Sequence, residues 1–533
     1  MPARMNQTGP RDGLRDKASL NHAALAGLLL FALALRMALV HFRPNIIWPD
    51  EIYQVVEPAY RLVHGTGATA WEFVVGMRSW LFPGIIAGVL WVAGLFGSAP
   101  AVGLTAVALF MALLSLLPVA VAYRWGERLE GAGGGLIAGS IAAIWIDMLY
   151  FAPHPLSDVI ASDVMMVGFY AAFPLTARAA LVRLFTAGVL FGLAFALRMQ
   201  LGPALLVAAI FACGRSTRAW GALIAGGSAA LLPAGCLDWI ILGTPFQSIW
   251  LNFWLNVVKG VSTDFGTQPP HFYVAQVRDL WGVAGALLIA VPLLVGARRF
   301  PALLAVAATI FVTQSLFQHK ELRFLYPALP PIVTLCGIGT VLVIQKWRPW
   351  WSRYASAPVP VVIALLAWTL LSLVLAMRPA YTSQFSRRRE LIDAFALATQ
   401  VPSLCGVELF DISWTSAPGS VALPARVPLY ASDSENAWRD AAGYNVAVVH
   451  HFTPSRSRPF TFAKRYRRVG CFAGTLNMDG TPMGTACVWV RDGGCTAGVA
   501  ETPDTLWPSY FRNPDDSPRL DRIRLYAPHY RTP

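Results

Sequence analysis

The feature that most restricts this chain is a series of long apolar runs between residues 22 and 378, broken by short polar loops. A run of spanning length satisfies its backbone hydrogen bonds within one helix, as a bilayer core requires. With 56% hydrophobic and only 13% charged residues, the sequence reads as a polytopic α-helical membrane protein. Residues 381–533 differ, with mixed composition, many charges and few apolar runs. They read as a soluble C-terminal domain. GVELFD, YNVAVVHH and TACVWVRD are rich in β-branched and aromatic residues and predict short strands in an α/β arrangement.

Loop charge predicts orientation. Arg4, Arg11, Arg15 and Lys17 lie in a polar tail, residues 1–21, and place it in the cytoplasm. The first span covers about residues 22–41, so the loop from Phe42 lies outside. If LFPGIIAGVLWVAGLFG at 81–97 crossed the bilayer, every later basic loop would fall on the wrong side. If it only dips into the outer face, the pattern is restored, with roughly eleven crossings. Residues 22–380 then form the membrane domain, with an outer loop over 42–100, and 381–533 lie outside. The polar loops with unusual chemistry collect on that face: 42–80, HPLSD at 154–158, 244–277 and HKELR at 319–323.

The net charge of +13 does not call for a nucleic acid, because Lys and Arg gather in short loops beside spans and no nucleic-acid motif occurs. Cys213, Cys236 and Cys336 lie in apolar runs and read as small core residues. Cys405, Cys471, Cys487 and Cys495 lie in the C-terminal domain. Their even number suits disulfides in an oxidising compartment, with the pairing open.

Four segments can carry chemistry. In WPDEIYQVVEPAYRLVHG at 48–65, Pro49 suits a first helical position, and Asp50 and Glu51 fall in the first turn. Helical spacing predicts one face for Asp50, Gln54, Glu57 and Arg61. A carboxylate there could act as a general base, its pKa raised by desolvation; acids complementing a helix dipole are the plainer explanation. WEFVVGMRSWLFP at 71–83 reads as an interfacial belt in which Arg78 could hold an anionic headgroup. The aromatic and amide-rich loop at 237–273, with Asn252 and His271, suits a sugar as well as it suits membrane anchoring. HKELR gathers His319, Lys320, Glu321 and Arg323, cations able to grip a phosphate. Within apolar runs, Asp147 and Asp163 are candidates to pair with Arg198 or Arg36.

Together these segments resemble the dolichyl-phosphate-mannose-dependent mannosyltransferases, glycosyltransferases of the GT-C type, and most closely the glycosylphosphatidylinositol mannosyltransferase group. WPDEIYQVVEPAYRLVHGTGATAWEF, RSWLFP, LDWIILGTPFQSIWLNFW with FGTQPPHFY, and HKELRFLYPALP stand in that family's order across residues 22–378. HKE-x-RF-x-x-P is matched in full, whereas Trp48 stands where that group often carries His. The resemblance implies inverting transfer of a mannosyl group from a polyprenyl-phosphate donor to a glycan, glycolipid or glycoprotein. It implies Asp50 as general base with Glu51 beside it. His319, Lys320 and Arg323, helped by Arg78, would stabilise the leaving phosphate. It implies no nucleotide and no cofactor, and partners limited to the lipid donor, the acceptor and membrane lipids. A bacterial inner membrane with a periplasmic site is the expected location. A transporter of lipid-linked glycans is the rival reading, and it would need polar residues at mid-membrane depth.

Overall fold

The computed structural model describes residues 10–46, 48–174, 179–353, 356, 358–410, 412, 416–425, 427–432, 443–451, 466–474, 484–495, 508–514 and 517–528. Among the described residues, six helices are long and apolar enough to cross a membrane: Asn21–Phe42, Pro100–Ile144, Thr217–Leu242, Phe272–Arg299, Leu322–Trp351 and Pro358–Ala376. Four shorter apolar helices accompany them: Leu81–Gly94, Leu181–Leu197, Met199–Cys213 and Pro301–Leu316. The chain is a helical membrane protein.

Pro100–Ile144 is not one rod. Its backbone leaves helical geometry at Glu130 and Gly131, and the two legs then pack side by side. Gly126 meets Gly134 so closely that a Cβ on Gly126 would lie 2.2 Å from the Gly134 carbonyl oxygen. Tyr123 of the first leg lies against Gly135 and Gly139 of the second. The tip of this hairpin carries Arg124, Arg128 and Glu130, where loop charge predicts a cytoplasmic turn. The 14 residues of Leu81–Gly94 rise only about 21 Å, short of a hydrocarbon core of roughly 30 Å.

The C-terminal region builds a five-stranded sheet from β1 (Val407–Phe410), β2 (Leu429–Ser432), β3 (Val446–His451), β4 (Tyr466–Ala473) and β5 (Thr485–Arg491). The strand order is β2-β1-β3-β5-β4, parallel across β2, β1 and β3 and antiparallel from β3 to β5 to β4. The three strands expected from sequence are the central ones. They read clearly because both faces of β3 are buried, Val446 and Val448 in one cluster, Ala447 and Val449 in another. The edge strand β4 carries exposed Arg467 and Arg468, which hid it. Helix Arg389–Ala398 covers one face through Leu391, Ala394, Phe395 and Ala398.

Two disulfides close the domain, Cys405–Cys495 and Cys471–Cys487. Cys213 and Cys336 are buried as expected, but Cys236 is exposed on its helix, so it is not a core residue. Cys405 and Cys495 lie 90 residues apart. Losing a link across so long a loop costs about 2–5 kcal/mol. Cys405→Ser is therefore expected to unfold the sheet at a clearly lower temperature than wild type, read by thermal melting with and without reductant. Equal melting of the two proteins would contradict this.

The C-terminal sheet domain sits on the loop that follows the first span. Ile46, Ile52, Tyr53 and Ala68 enter its core beside Leu409 and Phe395. The Ile46 N–H donates to the Arg387 carbonyl at 3.2 Å, and the Tyr53 hydroxyl donates to the Ala417 carbonyl at 3.3 Å. Farther along, Phe511 and Ile523 pack on Trp71, Met77, Leu251 and Val261. The loop that follows the first span thus lies between the helices and the sheet.

Candidate active site

Trp48 is extended, Pro49 starts a short helix as expected, and Asp50 and Glu51 lie in that first turn. The helix then widens into a π-turn over Ile52–Val56 before an α-helix over Glu57–His64. The extra residue in a π-turn rotates everything after it by about a quarter turn or more. The expected common face of Asp50, Gln54, Glu57 and Arg61 is therefore broken. Glu57 is turned towards the soluble domain, fully buried, and accepts the N–H groups of Ala68 at 2.8 Å and Val421 at 3.0 Å. Burial pushes its pKa up, and these backbone donors oppose the push. Glu57 fastens the domain to the loop and does not bind substrate here. Arg61 likewise turns to the Gly67 carbonyl, at 3.0 Å.

Asp50 meets HKELR. Arg323, on the 3-10 turn Leu322–Ala328, donates from one terminal nitrogen to Asp50 Oδ2 at 2.5 Å and from Nε to Glu321 Oε2 at 2.5 Å. The Arg323 side chain is only 4% exposed. Glu321 Oε1 in turn lies 3.1 Å from His319 Nε2, and His319 Nδ1 lies 2.9 Å from the Gly266 carbonyl. Burial works against the Glu321 charge, but Arg323 and His319 outweigh it and hold the Glu321 pKa at about 2. Burial also works against a charged His319, and Glu321 with the Gly266 carbonyl raises its pKa in spite of that. An unbroken charged line thus runs from the first outer loop through HKELR to the 244–277 loop. Asp50 is a carboxylate in a charge-assisted pair, rather than one isolated in apolar surroundings.

A second guanidinium stands beside the first. Arg198 and Arg323 each place Cζ 4.9 Å from the centre of the Phe324 ring. Arg198 donates from Nε to Asp158 Oδ1 at 2.8 Å. Arg198, but not Arg323, lines a pocket together with Gln54, Arg78, Gln200, Ser248 and Asn252. Gln54 donates to Glu72 Oε1 at 2.9 Å, and Asn252 accepts from the Asn256 amide at 3.1 Å. Burial raises the Glu72 pKa, opposed by the nearby Arg78. Arg78 Nε is buried and has no hydrogen-bond partner among the described residues. A buried donor left unpaired costs free energy unless a ligand meets it.

The structure brings together Asp50, Gln54, Arg78, Asn252, His319, Glu321 and Arg323. It does not bring in the others. Glu51 points the opposite way and binds His154 Nδ1 at 2.6 Å, both buried. Lys320 is turned into its own loop, where its ammonium donates to the Gln268 carbonyl at 2.9 Å and to the Phe317 carbonyl. It braces the loop and is not offered to a phosphate. His271 is exposed at the start of helix Phe272–Arg299. Arg198 pairs with Asp158 rather than with Asp147 or Asp163. Asp147 instead accepts from the Tyr381 hydroxyl at 2.5 Å and from Trp281 Nε1 at 2.9 Å. Arg36 donates to Ser115 Oγ at 2.7 Å and to backbone carbonyls. The sequence offers Arg198 as a partner for Asp147 or Asp163 and gives Asp158 no role; Asp158 and Arg198 are 40 residues apart with nothing local to link them.

A carboxylate, two guanidiniums against one aromatic ring and a third arginine whose Nε has no partner among the described residues lie between the membrane helices and the C-terminal sheet. That arrangement suits group transfer from an anionic donor at a membrane surface. The Alg9-like mannosyltransferase family model matches residues 27–421, and the chain belongs to that family. It is a membrane mannosyltransferase, which decides against the transporter reading. GPI mannosyltransferase 3 of Yarrowia lipolytica is 26% identical over 427 residues, 76% of each chain. GPI alpha-1,2-mannosyltransferase 3 of Mus musculus is 24% identical over 343 residues, 60% of each chain. The fold is shared with ArnT from Cupriavidus metallidurans bound to undecaprenyl phosphate, at TM-score 0.58 and 12% identity, over 89% of this chain and 99% of that one.

Proposed function

We propose that this site moves a mannosyl group from a polyprenyl-phosphate donor to a hydroxyl of a glycan, glycolipid or glycoprotein, with inversion. The observation that carries the proposal is Asp50, on the helix whose Gln54 lines the pocket, within electrostatic reach of Arg198, which lines the same pocket with Arg78, whose Nε is buried without a partner among the described residues. Asp50 Oδ2 takes Arg323, while Oδ1 has no partner among the described residues. Oδ1 accepts the proton of the acceptor hydroxyl as its oxygen attacks the anomeric carbon. The bond from that carbon to the phosphate oxygen breaks, and the electron pair leaves with the lipid phosphate. Arg78 and Arg198 stabilise the charge that develops there. Glu321 and His319 orient Arg323, and through it Asp50. Gln54 and Asn252 supply amides for sugar hydroxyls.

The site belongs to the non-cytoplasmic face in this reading, with eleven crossings and Leu81–Gly94 dipping into that face. Loop charge and the two disulfides support that side. The periplasmic face of a bacterial inner membrane is the finer form of the same proposal. A reporter fused at Ser383 reports a non-cytoplasmic position if it is correct, and a cytoplasmic one if it is not. Inversion is tested by comparing the anomeric configuration of donor and product by NMR; a retained configuration overturns the mechanism.

Arg78→Ala removes one charge-assisted contact, worth about 1.5–3 kcal/mol. Transfer is expected to fall roughly 10–100-fold, with melting unchanged. A steady-state assay beside a thermal melt checks this. Undiminished transfer would remove Arg78 from the site.

A further inference from the structure

The short helix that carries Asp50 separates two cavities. Gln54 and Val55 face the polar pocket described above. Glu51, Ile52 and Val56 face a larger cavity of about 410 Å³. Its walls are mostly apolar: Leu39, Leu104, Val107, Phe385, Ile392 and Phe395. They come from the first span, from helix Pro100–Leu114 and from the soluble domain. The exposed Phe42, Leu95 and Phe96 flank these walls in sequence.

Polar groups are few and are placed at one end. His154 lines the cavity and is 6% exposed. Its Nδ1 is committed to Glu51, whereas its Nε2 is buried with no hydrogen-bond partner among the described residues. Arg43 lines the cavity with its side chain exposed. Arg388 lies within electrostatic reach of Glu51 and Tyr150, and its Nη1 is also buried without a partner among the described residues. Arg388 is not in the cavity wall, but apolar walls ending in the Arg43 guanidinium and an unsatisfied ring nitrogen match a molecule with an apolar chain and an anionic head.

We propose that this cavity binds an acidic lipid, its chain against Leu104, Val107 and Phe395 and its phosphate-bearing head at His154 and Arg43. The site is separate from the polar pocket and touches the catalytic helix through Glu51. Lipid bound here braces that helix from behind. The inference rests on the cavity and not on the chemistry assigned to Asp50.

Photoactivatable phosphatidylglycerol tests it on the full-length protein in nanodiscs, with adducts mapped by peptide mass spectrometry. Adducts are expected on residues 100–108 and 385–399, several-fold above those from phosphatidylcholine. Leu104→Trp, which fills the cavity, and His154→Ala, which removes the ring, are each expected to lower that labelling at least fivefold. A melt of each variant establishes that it is folded. Unlabelled phosphatidylglycerol should protect, and inorganic phosphate alone should not, because the chain is part of the ligand. Equal labelling by both lipids, labelling that survives Leu104→Trp in a folded protein, or protection by inorganic phosphate alone would overturn the proposal. Loss of this site with mannosyl transfer from lipid donor intact would leave the function proposed above standing.

Discussion

Asp50→Asn is expected to lower mannosyl transfer by about 10²–10⁴-fold, the usual contribution of a positioned base. The substitution keeps shape and an oxygen that can still accept from Arg323, and it removes the proton acceptor. Melting should change little, because the Asp50 side chain is 21% exposed and the amide retains one partner. The donor concentration for half-maximal rate should also move little, since Asp50 faces the acceptor hydroxyl while the phosphate is held by Arg78 and Arg198. The combination of large loss in rate, small change in donor affinity and unchanged fold separates a base from a structural carboxylate. A variant that transfers within a few-fold of wild type would assign the base elsewhere.

Arg323→Ala acts on both fold and chemistry. It removes the cation between Asp50 and Glu321 and leaves two carboxylates facing each other across the gap. Removing one partner of a buried pair costs about 3–5 kcal/mol. The lower end is expected here, because the carboxylates are each 21% exposed while Arg323 is 4% exposed. Melting in detergent should fall by several degrees, and transfer should fall at least as far as in Asp50→Asn, because Asp50 loses the group that orients it. Arg323→Lys restores the charge but not the fork that reaches both carboxylates. It is expected to recover stability more than rate. Full activity in Arg323→Lys would mean that charge alone matters and that the fork does not position Asp50.

The class of the protein was legible because a bilayer imposes long apolar runs, and no tertiary detail is needed to see them. The pairing of His319, Glu321 and Arg323 was half legible, since three ionisable groups within five residues must interact. Their link to Asp50 was not, because 273 residues separate Asp50 from Arg323. The resemblance to a family supplied that association before the structure did. Two errors have plain causes. Glu57 was placed on the Asp50 face because a regular helix was assumed, and the π-turn over Ile52–Val56 rotates it away. Lys320 reads as a phosphate ligand because it shares the HKELR cluster with Arg323, yet its ammonium is taken up by the Gln268 and Phe317 carbonyls. The sequence offers Arg78 as a cation for an anionic headgroup, and only the structure shows its Nε buried without a partner among the described residues.

The most direct measurement is single-turnover transfer by the purified protein in liposomes, from polyprenyl-phosphate-mannose labelled in the sugar to a membrane extract. The account predicts that label enters the acceptor fraction in step with release of unlabelled polyprenyl phosphate, with no nucleotide sugar present. Transfer that needs a nucleotide sugar and ignores the lipid donor would contradict it.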